Sequence, residues 1–304
     1  MRVALAAALV ATSASAAEGY RRTPVPGKEL CLSWSTRALS YSADAAGSVK
    51  TPGDTEFAAI EASFRTWQAL SDSCSDFHLT AGPRLANAVV GHAPGSGPDN
   101  VVVFREVSCP DVVPPGDACI AAETCANVHR CWDHGDDTLG LTTTTFSAAT
   151  GVIVDADIEL NAAPHADGTE FLFTTVPSPQ CLPGEEAPTC VAIDVQNTVT
   201  HEVGHLFGLD HVTADGSTME TTAPVGETRK RVIDSGTAQG FCDTYPRGST
   251  SVPCGELGTL RRRVVAKSTG TALGCVAGTG EVSVAAVWLA GCWLALARVR
   301  SRAR

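Results

Sequence analysis

The chain has 304 residues, 44% of them apolar and 18% charged, with 22 basic against 33 acidic side chains and a formal net charge of -11. That length holds one large domain or two small ones, and the apolar fraction suffices for a true core. So acidic a chain is poorly suited to nucleic acid or to an anionic membrane surface.

The ends differ from the body between them. Residues 1–17 carry Arg2, an apolar run from Val3 to Val10 and the small residues Ala14, Ser15 and Ala16. This pattern is that of a secretory signal with an AxA-like cleavage site. Residues 18–30 form a short leading segment, the main domain is expected over 31–255, and 256–275 read as a linker. Residues 276–304 then hold a second apolar run, Val282 to Ala297, followed by Arg298, Arg300, Arg302 and Arg304. Sixteen residues are slightly short for a membrane span, but Arg298 can snorkel and extend it, and the basic cluster would keep that end in the cytoplasm. Both ends place the body outside the cytoplasm, with the membrane met only through the tail. Without residues 1–17 and 276–304, 17 basic and 32 acidic residues remain, a net charge near -15.

Within the body, Cys31 to Tyr41 alternates around Leu32, Trp34, Leu39 and Tyr41 as one or two strands. Glu56 to Leu70 sets Phe57, Ile60, Phe64 and Trp67 at helical steps. Asn100 to Phe104 reads as a buried strand, Gly140 to Thr145 and Val152 to Leu160 as two more, and Asp234 to Cys242 as a last helix. The segment Pro164 to Cys190 is a long loop rich in Pro and acidic residues, either a lid or a pinned excursion, and the excursion is favoured. Ten cysteines precede Cys275, an even number that in an exported chain argues for up to five disulfides. Neighbouring positions suggest Cys181 with Cys190 and Cys242 with Cys254, while Cys31 and Cys74 flank the first helix. The stretch Cys109 to Cys131, with His129 and His134, leaves a second zinc site as the alternative to bridges.

The most specific stretch is His201-Glu202-Val203-Gly204-His205-Leu206-Phe207-Gly208-Leu209-Asp210-His211. Asp194 to Leu209 reads as a helix, with Asp194 as N-cap and Val195, Val199, Val203 and Leu206 on one apolar face. His201 and His205 lie one turn apart opposite that stripe, so both reach one ion. Gly208 can take positive φ, end the helix and return the chain so that His211 becomes a third ligand. Three neutral imidazoles leave a tetrahedral Zn2+ one open position, the pattern of a catalytic site. Glu202, next to His201, is placed to act on a metal-bound water as general base and then as proton donor to a leaving amine.

The motif HExxHxxGxxH resembles the metzincin metalloproteases, whose second mark is a methionine turn beneath the zinc. Met219, the one methionine besides Met1, follows His211 by eight residues, a spacing that looks like the matrixin branch; Thr221 stands where an astacin-like tyrosine would be. The resemblance implies an α+β, zincin-type fold with a mixed twisted sheet and long helices, and cleavage of protein or peptide substrates. It implies one catalytic Zn2+ on His201, His205 and His211, with Glu202 catalytic and Met219 structural. By the same resemblance, Asp155 to Asn161 is the edge strand bordering the cleft, so that Ile158, Glu159 and Leu160 would pair with an extended substrate. The wall of the main side-chain pocket would run from Glu220 to Val225, and Tyr245-Pro246 would close the domain. Glu159 and Asn161 stand where vertebrate matrixins carry His and Asp, which puts structural zinc and calcium in doubt. No thiol-latch prodomain is recognisable. Gly274-Cys275, the apolar run and the Arg cluster together resemble the sorting tail of myxobacterial surface proteins, which implies a sorting protease acting near Cys275 and delivery to the bacterial cell surface or medium. The alternative for the whole is a non-catalytic, surface-anchored metal-binding or adhesion module.

Overall fold

A computed structural model describes residues 19–92, 100–252 and 254 in full and residues 274–278 as backbone. Residues 1–18, on which the expected export signal falls, and nearly all of the C-terminal tail lie outside the described residues. In chain order the elements are β1 (Arg21–Arg22), β2 (Ser33–Trp34), β3 (Ala38–Ala43), α1 (Thr55–Cys74), β4 (His78–Ala81) and β5 (Val101–Arg105). Three short helices follow, α2 (Cys109–Val112), α3 (Ala118–Ala122) and α4 (Cys125–Val128). The hairpin β6 (Thr138–Phe146) and β7 (Val152–Asn161) leads to β8 (Phe173–Thr174), β9 (Ile193–Asp194), α5 (Val195–Leu206), β10 (Leu209–Asp210), α6 (Ser235–Thr244) and β11 (Gly274–Gly278).

The architecture is mixed, several helices on a largely parallel sheet, compatible with the expected α+β class. Its strand order is β11-β6-β7-β5-β3-β4, with β2 also pairing with β7, and β6 runs antiparallel to β7. One face carries the core. Alternation sends Ala156, Ile158 and Leu160 of β7 into it, where they join Ile60, Phe64 and Trp67 of α1 and Val195, Val199 and Val203 of α5. Phe64 stacks on Tyr41 with ring centroids 3.6 Å apart. The two helices are also tied by hydrogen bonds: Trp67 Nε1 donates to the Thr200 carbonyl at 2.9 Å and Ser63 Oγ to that of Gln196 at 3.0 Å.

The other face of β7 carries Asp155, Asp157, Glu159 and Asn161, all buried. Glu159 pairs with Arg105 Nε at 2.6 Å and lies 3.6 Å from His134 Nε2. Hydrogen bonding by His134 and the hydrogen-bonded guanidinium of Arg105 outweigh burial and hold its carboxyl below the usual range. Asn161 donates from Nδ2 to the Thr138 carbonyl at 3.0 Å and accepts from the Ala163 N–H at 3.2 Å.

This topology corrects one expectation. Ile158, Glu159 and Leu160 lie on an interior strand, paired with Val102 to Phe104 of β5 on one side and with Thr142 to Gly140 of β6 on the other. The tight connection after Phe146 folds β6 and β7 into a hairpin, and β5 with β2 occupies the far side of β7. The outer member of that hairpin is therefore β6.

Five disulfides join described residues. Cys181 does pair with Cys190, but Cys242 bridges to Cys74 and Cys254 to Cys31, so two of the neighbour-based pairings are replaced by long-range ones. Cys31 and Cys74 are accordingly not partners. The second-zinc alternative is also overturned, because Cys109–Cys131 and Cys119–Cys125 are bridges that leave no thiolate ligand. His129 instead meets Asp117 at 3.2 Å. Such a set of bridges points to maturation in an oxidising, extracytoplasmic environment. Among the described residues no helix is long and apolar enough to cross a membrane.

Candidate metal centre

The helix that carries the motif is held at both ends. Asp194 caps α5, its side chain accepting the Asn197 N–H at 2.7 Å while also gripping the Arg231 guanidinium, 2.8 Å from Nε. The helix stops at Leu206, and Gly208 takes φ of 79°, a conformation open to a residue without Cβ; a Cβ there would also stand 2.5 Å from the Leu32 carbonyl oxygen. Carbonyls at a helix C-terminus have no partner within the helix. Here Leu206 O accepts from Trp34 Nε1 at 2.8 Å and Phe207 O from the Tyr245 hydroxyl at 2.9 Å, and the same hydroxyl accepts the Trp34 N–H at 3.1 Å.

With the helix end held in this way, the return through β10 brings His211 back to His201 and His205. The three Nε2 atoms stand 3.2, 3.2 and 3.0 Å apart. His201 Nδ1 lies 2.6 Å from the Thr218 carbonyl oxygen and His205 Nδ1 2.8 Å from that of Leu209. A carbonyl only accepts, so it places the ring proton on Nδ1 and leaves the Nε2 lone pair facing inward. Burial, aided by the charge of Lys230 and by the neighbouring imidazoles, pushes His201 well below the ordinary histidine range. Burial likewise lowers His205 to about 4 and His211 to about 2. Three uncharged imidazoles with converging lone pairs repel one another unless a cation lies between them, so the donor set fits a metal ion.

Glu202 is completely buried beside His201. Its carboxylate Oε2 accepts from Thr142 Oγ1 of β6 at 2.7 Å, and a Cβ on Gly140, two residues earlier on that strand, would stand 2.9 Å from Oε1. The strand therefore both orients the carboxylate and makes room for it. Met219 is buried beneath the helix, where a Cβ on Gly204 would come within 2.2 Å of its Sδ. Its carbonyl accepts the Val212 N–H at 3.0 Å, tying the methionine turn to the segment that delivers His211.

No family model and no curated protein matches this sequence. The centre thus rests on its own geometry. The structure brings together His201, His205, His211, Glu202 and Met219 as the motif anticipates; Ile158 to Leu160 lie on β7, an interior strand of the sheet, and not on an edge. Several contributors carry no local signal. Thr142 is one of four consecutive threonines, and only its register opposite Ile158 singles it out. Lys230 sits in an Arg-Lys-Arg run that reads as solvated surface, yet it is 1% exposed. Its ammonium donates to the carbonyls of Glu220 at 2.7 Å and Thr222 at 2.6 Å, and its backbone N–H to Asn197 Oδ1 at 2.8 Å. It thereby binds the segment after Met219 to the start of α5.

Proposed function

We propose that this chain is an exported zinc endopeptidase of the matrixin-like metzincin type. In this reading His201, His205 and His211 hold one Zn2+ and Glu202 is the general base. The observation that carries it is the convergence of three Nε2 atoms, 3.0 to 3.2 Å apart, next to an anchored buried carboxylate. Donors about 2.0–2.1 Å from a tetrahedral zinc stand about 3.3 Å from one another. The turn at Gly208 and the packing of Met219 under Gly204 support the same branch.

The bound ion would acidify a water and polarise a substrate carbonyl. The Glu202 carboxylate, oriented at Oε2 by Thr142, takes the proton of the attacking water and delivers it to the leaving amine nitrogen. The carbonyls of Thr218 and Leu209 keep His201 and His205 in the tautomer that offers Nε2. Met219 keeps the floor of the centre dry. Substrate is protein or peptide, laid as an extended strand along the sheet. The sorting-tail resemblance further assigns the protein to a bacterial envelope or its surroundings.

The test compares the zinc-loaded protein with its Glu202→Gln variant on a broad peptide library. The variant should keep about one zinc per chain by mass spectrometry and lose roughly 10²- to 10⁴-fold in kcat/KM. Wild-type rates in the variant would refute the mechanism. Zinc binding with no cleavage by either form would favour the non-catalytic module.

A further inference from the structure

One edge of β6 pairs with β7 from Gly140 to Phe146, and Thr142 of the strand donates to the carboxylate of Glu202. Among the described residues, the outer edge is met by β11 of the same chain. The pairing is parallel: Gly274 lies opposite Thr138, Val276 opposite Leu141, Ala277 opposite Thr142 and Gly278 opposite Thr143, with the register slipping by one residue beside Gly140. Of the residues so paired, Thr142 donates to Glu202, and Gly140, beside the register slip, leaves space for its carboxylate. Resting on the peptidase reading, in which extended substrate lies along this edge of the sheet, we propose that Gly274–Gly278 is the resident occupant of the outer edge of β6, closing the site in cis.

A strand edge offers one row of N–H and C=O groups and accepts one partner at a time, so resident and substrate exclude each other. The pairing is made by the main chain, and its hold depends on belonging to the same molecule.

The test uses the full chain carrying Val276→Pro and Ala277→Pro, which remove two donors from β11 and prevent its pairing. Hydrogen exchange at the amides of residues 139–144, followed by mass spectrometry, should be at least roughly tenfold faster in the variant than in the wild type. An occupant present about nine-tenths of the time raises apparent KM about tenfold without touching kcat, so the variant should show a tenfold lower KM at unchanged kcat. A synthetic peptide of residues 272–280 added to the variant should inhibit competitively and restore the protection. Unchanged exchange would show that the edge is not occupied and overturn the proposal. Faster exchange with unchanged KM would do so as well, by separating the tail from the substrate surface. If neither protein cleaves any peptide, the peptidase reading falls, and the exchange measurement still decides whether the tail holds β6.

Discussion

At the scale of single residues, Gly204 governs how closely Met219 approaches the histidine helix. A methyl group there would stand 2.2 Å from Sδ and 3.4 Å from Trp67 Cζ2, in a region with no space to yield. Gly204→Ala should therefore destabilise the protein by about 1–3 kcal/mol, read as a lower urea midpoint. Shortening the opposing side chain should relieve it: Gly204→Ala with Met219→Ala should be less destabilised than the two single effects summed. Strict additivity would show that the two do not press on each other. The histidines and Glu202 were legible from their spacing, and Met219 through the family resemblance that this spacing carries. Thr142 and Lys230 were not, because each acts from an element distant in sequence. A threonine within Thr142-Thr143-Thr144-Thr145 and a lysine between two arginines look like their neighbours until the fold selects one.

At the scale of elements, α5 owes its position to partners from both halves of the chain. Tyr245 is fully buried and bonded to Phe207 O and to the Trp34 N–H. Tyr245→Phe keeps the ring and removes both bonds, leaving a buried acceptor and a buried donor unanswered. The expected loss is about 2–3 kcal/mol in urea unfolding, and with it a weaker zinc affinity as the return to His211 loosens. A loss below about 0.5 kcal/mol, the lower end for a single such bond, would show the hydroxyl to be dispensable. The elements themselves were largely visible: α1, β5, β6, β7, α5 and α6 all fall on segments whose periodicity announces them. The order of strands was not. The alternation in Val152 to Asn161 is the same whether its polar face meets solvent or a covering loop, and here Arg105 and the segment before β6 cover it. Nothing within a strand says which neighbour will lie beyond it.

At the scale of the whole molecule, pH should act through the covered face of the sheet. Asp157 is buried next to Asp155; burial first, then that neighbouring charge, push it up to about 8 against the pull of the Gly91 and Val101 N–H groups. Its folded pKa thus exceeds its ordinary value of 3.8, so the folded state holds the proton more tightly. The resulting stabilisation is complete below the unfolded pKa and is lost as pH rises through about 8. Urea midpoints should fall between about pH 5 and about pH 9, and Asp155→Asn, by removing the neighbouring charge, should flatten that decline. A midpoint that rises with pH over this range would contradict the assignment. The bridges Cys31–Cys254 and Cys74–Cys242 span 223 and 168 residues, distances that spacing rules for neighbours could not anticipate. These spans, with the bonds from Trp34 and Tyr245 to the end of α5, also set an order in time. A ribosome releases Trp34 long before Tyr245 and Cys254, and the reducing cytoplasm withholds both bridges. A nascent or reduced chain therefore carries the three histidines without the complete frame that surrounds them. That frame is finished only when synthesis has ended and the chain has been oxidised.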